Sequence, residues 1–403
     1  MDSFSPPSPN SVTVLIVGKG GREHALAWKL AQSPSVSRIF VLPGNAGTEK
    51  ADKTQNVADI KPNDYEAIVS FAKVNGVGLV VAGPDDAVVD GIEDHFRSSG
   101  IPCFAPSRAA AEIEGSKAFA KEFMRRYNIP TSTGESFEYY SRARDYIKHV
   151  TRPVVIKASG LAAGKGVILP TSQDEALEAL DDIMVYKKFG KEAGDLVVIE
   201  SYLQGDEISV HTFCDGHTFK SLPAGQDHKR AWADNGPNTG GMGVYTPTTF
   251  VTDRDMEMMT KYGPKVIEYN ARFGDPEAQS MLPLLSSDTD LCHILLACTS
   301  GKLADVQIKN RSGYVCNVVV ASFGYPGPYV QGHTIELAPC PEGTLIFHAG
   351  TRRETGVLKT AGGRVFTVTA SGDTLEEAVK TAYAGVDLIK FDGMYYRKDI
   401  ASR

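Results

Sequence analysis

What the chain lacks excludes several classes at once. Its 42 Lys and Arg stand against 49 Asp and Glu, a formal net charge of −7, so there is no basic field of the kind that draws nucleic acid. The six cysteines form no CxxC pair and show no regular spacing, which removes a zinc ribbon and a disulfide scaffold and predicts buried thiols in a reducing compartment. No apolar run reaches the roughly 18–20 residues needed to cross a bilayer. The first eleven residues are a Pro/Ser tail without an apolar core or basic start, unlike a secretory signal. These absences predict a cytoplasmic protein with neither a nucleic-acid nor a membrane partner.

What is present is an ordinary globular composition, 42% hydrophobic and 23% charged, over 403 residues. That length suits two to four domains of ~100–200 residues each. After the tail (1–11), β-branched strands alternate with helices. A strand at Val12–Val17 leads into a helix ending near Ala31, followed by strands at Arg38–Leu42 and Leu79–Ala82, a helix over Val88–Ser99 and a last strand at Ile101–Ala105. The alternation predicts a Rossmann-like α/β domain over 12–106, a parallel sheet with helices on both faces. A helix over Ser107–Tyr127 opens a second unit, 107–304, with a small α+β lobe near 135–203. From about 305 to 403 short strands, Gly/Pro turns and one late helix predict a β-rich C-terminal domain.

Two glycine clusters carry chemistry. Gly18-Lys-Gly20-Gly21 follows a strand and opens a helix, where backbone N–H groups can hold a phosphate. It lacks the third glycine of a dinucleotide fingerprint, because Glu23 stands there, so a smaller phosphate ligand, or no more than a tight turn, remains. The second cluster is Lys157-Ala-Ser-Gly-Leu-Ala-Ala-Gly-Lys-Gly166, which reads as a flexible hairpin lid whose lysines reach polyphosphate oxygens. It is not a P-loop, since Gly166 replaces the required Ser or Thr. Downstream, Gly225–Arg230 and Asn235–Gly243 are polar and glycine-dense, with donors for a carboxylate or phosphate. The sharpest element is Pro264–Glu277. On a strand, Glu268 and Asn270 face one side, two oxygen ligands that suit Mg2+ (or Mn2+), and Arg272 continues that face.

Taken together, the lid after Lys157, Glu200 and Glu268-x-Asn270 resemble the ATP-grasp superfamily, and within it the phosphoribosylamine–glycine ligase family. Matching stretches run nearly end to end: Gly18–Ala25, Pro43–Thr48, Glu114–Lys117, Lys157–Gly166, Gln226–Arg230, Gly236–Gly243, Glu268–Glu277, His348–Thr351 and Tyr396–Asp399. The resemblance implies an ATP-grasp fold for the middle unit and a pre-ATP-grasp role for the N-terminal sheet. It implies ATP-dependent ligation of glycine to 5-phosphoribosylamine through glycyl phosphate, giving glycinamide ribonucleotide, ADP and phosphate in purine synthesis, with fusion to or association with other purine-pathway enzymes. ATP would be held by Lys117, Lys157, Gly164, Lys165, Gly166, Glu200, Leu203 and Glu207, and the metal by Glu268 and Asn270. Arg272, Asp275, Lys229 and Asp227 would serve the glycine and acyl-phosphate chemistry. Gly20, Gly21, Arg22, Glu23, Asp85, Arg230 and Asn238 would bind substrate, with Asp85 one methylene shorter than the Glu usual in the family.

The resemblance breaks at one place. The family carries a long helix and an antiparallel strand between the Val251-Thr-Asp253 segment and the metal-binding strand. Here Tyr262 runs straight into Gly263-Pro-Lys, so on the order of thirty residues, about one helix plus one strand, are missing. The lost strand should pair with the one bearing Glu268, and its absence predicts a less stable fold with little ligase activity. Three other readings stay open. A nicotinamide oxidoreductase would leave the lid and Glu268-x-Asn270 unexplained, and another ATP-grasp ligase should lack the 226–230 and 236–243 segments. The third is a non-catalytic isoform that binds nucleotide without turnover.

Overall fold

The computed structural model describes residues 11–162, 165–233, 235–251, 254–255 and 264–402. The 262–263 junction, Gly164 and most of the Pro/Ser tail lie outside them. The N-terminal unit forms the expected parallel sheet: β1 (Val12–Gly18), β2 (Val36–Pro43), β3 (Thr54–Asn56), β4 (Val77–Ala82) and β5 (Cys103–Phe104), in the order β3-β2-β1-β4-β5. Val14, Leu15, Ile16 and Val17 are all buried, because a central parallel strand is covered on both faces and needs a continuous apolar run.

Two expected helices are each broken in two. Gly91, at φ 88°, interrupts the first into Asp85–Val89 and Ile92–Arg97, using the left-handed backbone that glycine tolerates. Ser116 is extended and splits the second into Arg108–Gly115 and Lys117–Arg126. Its hydroxyl accepts the Phe119 N–H at 3.2 Å, a cap worth about 1 kcal/mol. The break places Lys117 at the first turn of a new helix that borders the cleft.

The small lobe is an antiparallel sheet of β6 (Gly134–Phe137), β7 (Val154–Ala158), β8 (Val167–Ile168) and β9 (Val197–Ser201), ordered β6-β9-β7-β8. Helices Tyr140–His149 and Gln173–Leu180 close its core. The glycine-rich cluster is the β7–β8 connection. A third, antiparallel sheet orders Gln226–Asp227, Gly243–Thr246, Tyr314–Ser322, Arg364–Gly372 and Thr344–His348, with Met394–Tyr395 on the end of Tyr314–Ser322. It joins strands from before and after residue 305, so the loop 227–243 is rooted in the same sheet as the C-terminal strands.

Helix Ala278–Leu284 is buried throughout and packs against both helix Gly21–Ala31 and strand Tyr314–Ser322. It anchors the C-terminal end of the 268–277 segment. The other end is different from what the sequence pattern predicts. Residues 264–270 do not form a strand: among the described residues their β pairing is one parallel bridge, Val266 to Thr131. The Val266 N–H donates to the Pro130 carbonyl at 2.8 Å, and the Thr131 hydroxyl donates to the Val266 carbonyl at 2.6 Å. A strand needs a neighbour along its length to take alternate N–H and C=O groups, and among the described residues this segment has such a neighbour only at Val266.

Candidate active site

The three sheets face a common cleft of about 3140 Å³. Lys19, Arg22 and Asp85 line it from the N-terminal domain, Lys117 from helix Lys117–Arg126, Lys157 and Glu200 from the lobe, and Arg364 from the C-terminal strands. With the exception of Gly164, Gly20, Gly21 and the buried Glu23, every residue singled out from the sequence lines this one space.

One side of the cleft, where the sequence places ATP, is built on a buried charge cluster. Glu200, 4% exposed on β9, forms ion pairs with Lys157 on β7 and, at 2.5 Å, with Lys121 on the Lys117–Arg126 helix. Burial alone would raise the Glu200 pKa, but Lys157 and Lys121 outweigh it and hold the carboxyl below its ordinary value. Lys121 also donates to Thr131 Oγ1 at 3.0 Å and Ser132 Oγ at 2.9 Å. Lys117 Nζ reaches the Gly160 carbonyl at 3.4 Å, and burial pushes its pKa down. Lys165 is exposed at the edge of the lid and Gly166 is buried, where an added Cβ would meet Ala162 Cβ at 2.6 Å. Leu203 and Glu207 follow β9 along the cleft wall. Lys121 was not picked out from the sequence. Its place four residues after Lys117, on the same helix face, was the available signal.

Opposite the lid, Glu268 and Lys229 meet at 3.5 Å, and Lys229 also pairs with Glu207. The pull of Lys229 is the main cause that holds the Glu268 carboxyl down to about 2, against the cost of desolvation. Desolvation works against the Lys229 ammonium, yet Glu268, Glu207 and Asp227 raise its pKa well above the ordinary lysine value. The Asn270 amide oxygen accepts from Arg272 Nη2 at 3.0 Å, and the same Nη2 pairs with Glu114 at 2.8 Å. Glu114 further accepts the Ala271 N–H at 2.6 Å, so it fixes the turn between Asn270 and Arg272. Among the described residues no group of three His, Cys, Asp or Glu side chains is placed to hold a metal. The donor set at Glu268 and Asn270 is one carboxylate and one amide oxygen. That fits a hard cation which keeps waters and takes further oxygens from phosphate.

Asp227 is the most unusual carboxylate. Burial and the nearby Glu277 raise its pKa well above the ordinary range, and its Oδ1 is buried without a hydrogen-bond partner among the described residues. Asp275 is held the other way. Burial would raise its pKa, but Arg364 and Arg22 lower it, and its oxygens pair with Arg364 at 3.0 Å and Gln279 at 2.7 Å. Arg364 also donates to the Gly240 carbonyl at 2.7 Å. Sequence reasoning passed over it because the contact spans more than a hundred residues. Asn238 Nδ2 reaches the Val167 carbonyl on the lid strand at 3.3 Å, and Arg230 Nη1 donates to the Gly236 carbonyl at 2.5 Å.

The first glycine cluster is tied to itself and to its neighbours. The Gly20 N–H donates to Glu23 Oε2 at 2.5 Å, while Glu23 Oε1 pairs with Arg22 at 2.6 Å. One amide expected to face a substrate phosphate is therefore held by the chain's own carboxylate. Arg22 Nη1 donates to the Phe273 carbonyl at 3.1 Å, bridging this loop to the 268–277 segment. A Cβ on Gly21 would lie 2.8 Å from Gln279 Nε2, which explains the need for glycine there. Asp85 begins its short helix half-buried and lines the cleft.

A glycine-rich hairpin over buried lysines, facing a carboxylate and amide pair across a cleft, defines an ATP-grasp protein. The phosphoribosylglycinamide synthetase N domain matches residues 12–114, its ATP-grasp (A) domain 115–261 and its C domain 315–403. This chain belongs to the phosphoribosylglycinamide synthetase family. It is 48% identical to the bifunctional purine biosynthetic protein ADE1 of Schizosaccharomyces pombe, with 97% of this chain aligned to 53% of that protein. It is 43% identical to a phosphoribosylamine–glycine ligase of Vibrio cholerae, over 97% of this chain and 98% of that one. The crystal structure of the Thermotoga maritima phosphoribosylamine–glycine ligase superposes with a TM-score of 0.79 at 32% identity, covering 96% of this chain and all of that one. Against the bifunctional relatives the chain spans about half their length.

The comparisons also bear on the shortened region. The alignment to the Vibrio cholerae protein runs over 424 positions, of which this chain supplies about 391 (97% of 403), so about 33 positions of that alignment face gaps here. The ATP-grasp domain match stops at residue 261, next to the junction, and residues 262–314 fall outside all three matches.

Proposed function

We propose that this chain ligates glycine to 5-phosphoribosylamine with ATP, and that its shortened metal-binding limb slows the reaction. The observation that carries the reading is Asp227, a buried carboxyl with an unpartnered oxygen among the described residues, beside Lys229 and Glu277 in the cleft. Such an acceptor suits the ammonium of glycine, whose carboxylate then points toward Lys229 and Arg272.

In this reading the terminal phosphoryl of ATP moves to a glycine carboxylate oxygen. The bond to the β–γ bridging oxygen breaks, and ADP leaves with that electron pair. The amine of phosphoribosylamine then attacks the carbonyl carbon, and phosphate leaves with the acyl oxygen. Lys157, Lys117 and the lid hold the nucleotide phosphates, while Lys229 and Arg272 neutralise charge that builds on the transferring group. A divalent cation, Mg2+ in this reading, would be held by Glu268 and Asn270 and would supply charge neutralisation on the phosphates. Lid closure over the cleft excludes water from the acyl phosphate.

The single bridge at Val266 supports the second half of the proposal. A metal-ligand segment whose backbone pairs through one bridge and is otherwise held by side chains is less firmly fixed than one in a ladder, and about 1 Å of misplacement can cost on the order of 10²-fold in rate. Mass-spectrometric detection of glycinamide ribonucleotide, with each substrate omitted in turn, tests the reading. Product that requires ATP, glycine and phosphoribosylamine together supports it. ATP turnover that ignores glycine contradicts it.

A further inference from the structure

The motif at 396–399 takes no part in the cleft, yet it is among the most tightly held pieces of the chain. Arg397 is 2% exposed. Its Nε and Nη2 grip both oxygens of Asp399, at 2.8 and 2.5 Å, and its Nη1 donates to the Arg230 carbonyl at 3.1 Å. Beside it, the Tyr395 hydroxyl donates to the Ala231 carbonyl at 2.6 Å. The Ala401 N–H donates to His228 Nε2 at 3.2 Å. The Tyr383 hydroxyl, on helix Leu375–Val386, backs this strap by donating to the Arg397 carbonyl at 2.9 Å and accepting the Ile400 N–H at 3.0 Å.

The pattern of contacts is selective. The strap grips residues 228, 230 and 231 and leaves Lys229, whose ammonium pairs with Glu207 and Glu268 in the cleft. These contacts fix the His228 ring and the carbonyls of Arg230 and Ala231, on both sides of Lys229 along the chain, and so limit where the backbone that carries Lys229 can move. We infer that Arg397 is a positioning residue: the strap 395–401 fixes the backbone of 228–231 and thereby aims Lys229 at the reacting phosphoryl group. The inference rests on the role proposed above for Lys229. Arg397 is buried while the Asp399 side chain is 30% exposed, and the bidentate grip fixes the plane of the guanidinium so that its remaining Nη1 is aimed at the neighbouring backbone.

Two variants of the full chain test this, Arg397→Met and the gentler Tyr395→Phe, with hydrogen exchange read peptide by peptide. The expected result is exchange faster by about 10-fold or more confined to 228–239, with ATP affinity kept. Glycine-dependent turnover should fall roughly 10-fold or more through kcat or the KM for glycine. Unchanged exchange at 228–239 in a folded Tyr395→Phe protein, or acceleration spread evenly over the chain, overturns the inference. The exchange reading needs no turnover, so a chain without ligase activity would sink the functional proposal and leave the positioning result to stand or fall alone.

Discussion

Lys229 Nζ lies 3.5 Å from a carboxylate oxygen of Glu268, and this contact is the main influence on the Glu268 carboxyl. Because Lys229 is the largest influence keeping Glu268 near 2, removing its charge should let that carboxyl rise. A Lys229→Met chain should show the Glu268 resonance titrating at higher pH in a carbon-13 carboxyl titration. The sign follows from linkage. A carboxyl depressed in the folded state adds stability above the unfolded value of about 4.3, and that stability is lost as pH falls toward 2. The variant should therefore lose less stability between pH 5 and 3 than the parent.

Much of this was legible beforehand, and the exceptions have physical causes. The N-terminal parallel sheet announced itself through buried β-branched runs at Val14–Val17 and Leu79–Ala82, because a doubly covered strand has no polar face. That the glycine-rich cluster joins two antiparallel strands was readable from its glycines, which interrupt two β-branched runs. Local pattern could not show that Glu200 sits between Lys157 and Lys121, that Glu114 holds Arg272, or that Arg364 and Arg397 reach back across the chain. Those contacts depend on tertiary packing. Pro264–Asn270 misled as a strand because strand pattern describes a segment's preference, and a ladder also requires the neighbour.

Asp227→Asn keeps the volume and removes the charge. The KM for glycine should rise at least about 30-fold, the scale of losing one partner of a desolvated charge pair, while ATP affinity stays within a factor of a few. Initial rates at varied glycine check it. An unchanged KM would remove Asp227 from the glycine site.

Lys121→Met leaves Glu200 buried with one cationic partner in place of two. Breaking a buried pair from one side costs about 3 kcal/mol, so the midpoint of urea unfolding should fall accordingly, and nucleotide binding should weaken with it. A second change, Glu200→Gln, should recover part of the stability lost.

His24 and His348 meet where the N-terminal domain packs on the C-terminal strands, with the His348 N–H donating to His24 Nδ1 at 2.9 Å. Burial lowers His24 to about 4 and His348 to about 3. A histidine depressed in the folded state takes its proton first in the unfolded chain, near 6.5, so its contribution to stability is present above that value and is lost as pH falls. Melting temperature should drop between pH 7 and 5, and His24→Asn, which keeps an acceptor for the His348 N–H, should make the drop shallower.

The most direct test is to restore what is missing. A chain carrying the roughly thirty-residue helix and strand of a relative at the 262–263 junction gives residues 264–270 a neighbour. Glycinamide ribonucleotide formation by the restored and present chains, measured side by side with saturating ATP, Mg2+, glycine and phosphoribosylamine, decides the account. The prediction is product from both, at least about 10-fold faster in the restored chain. Equal rates, or no product from the restored and folded chain, would contradict it.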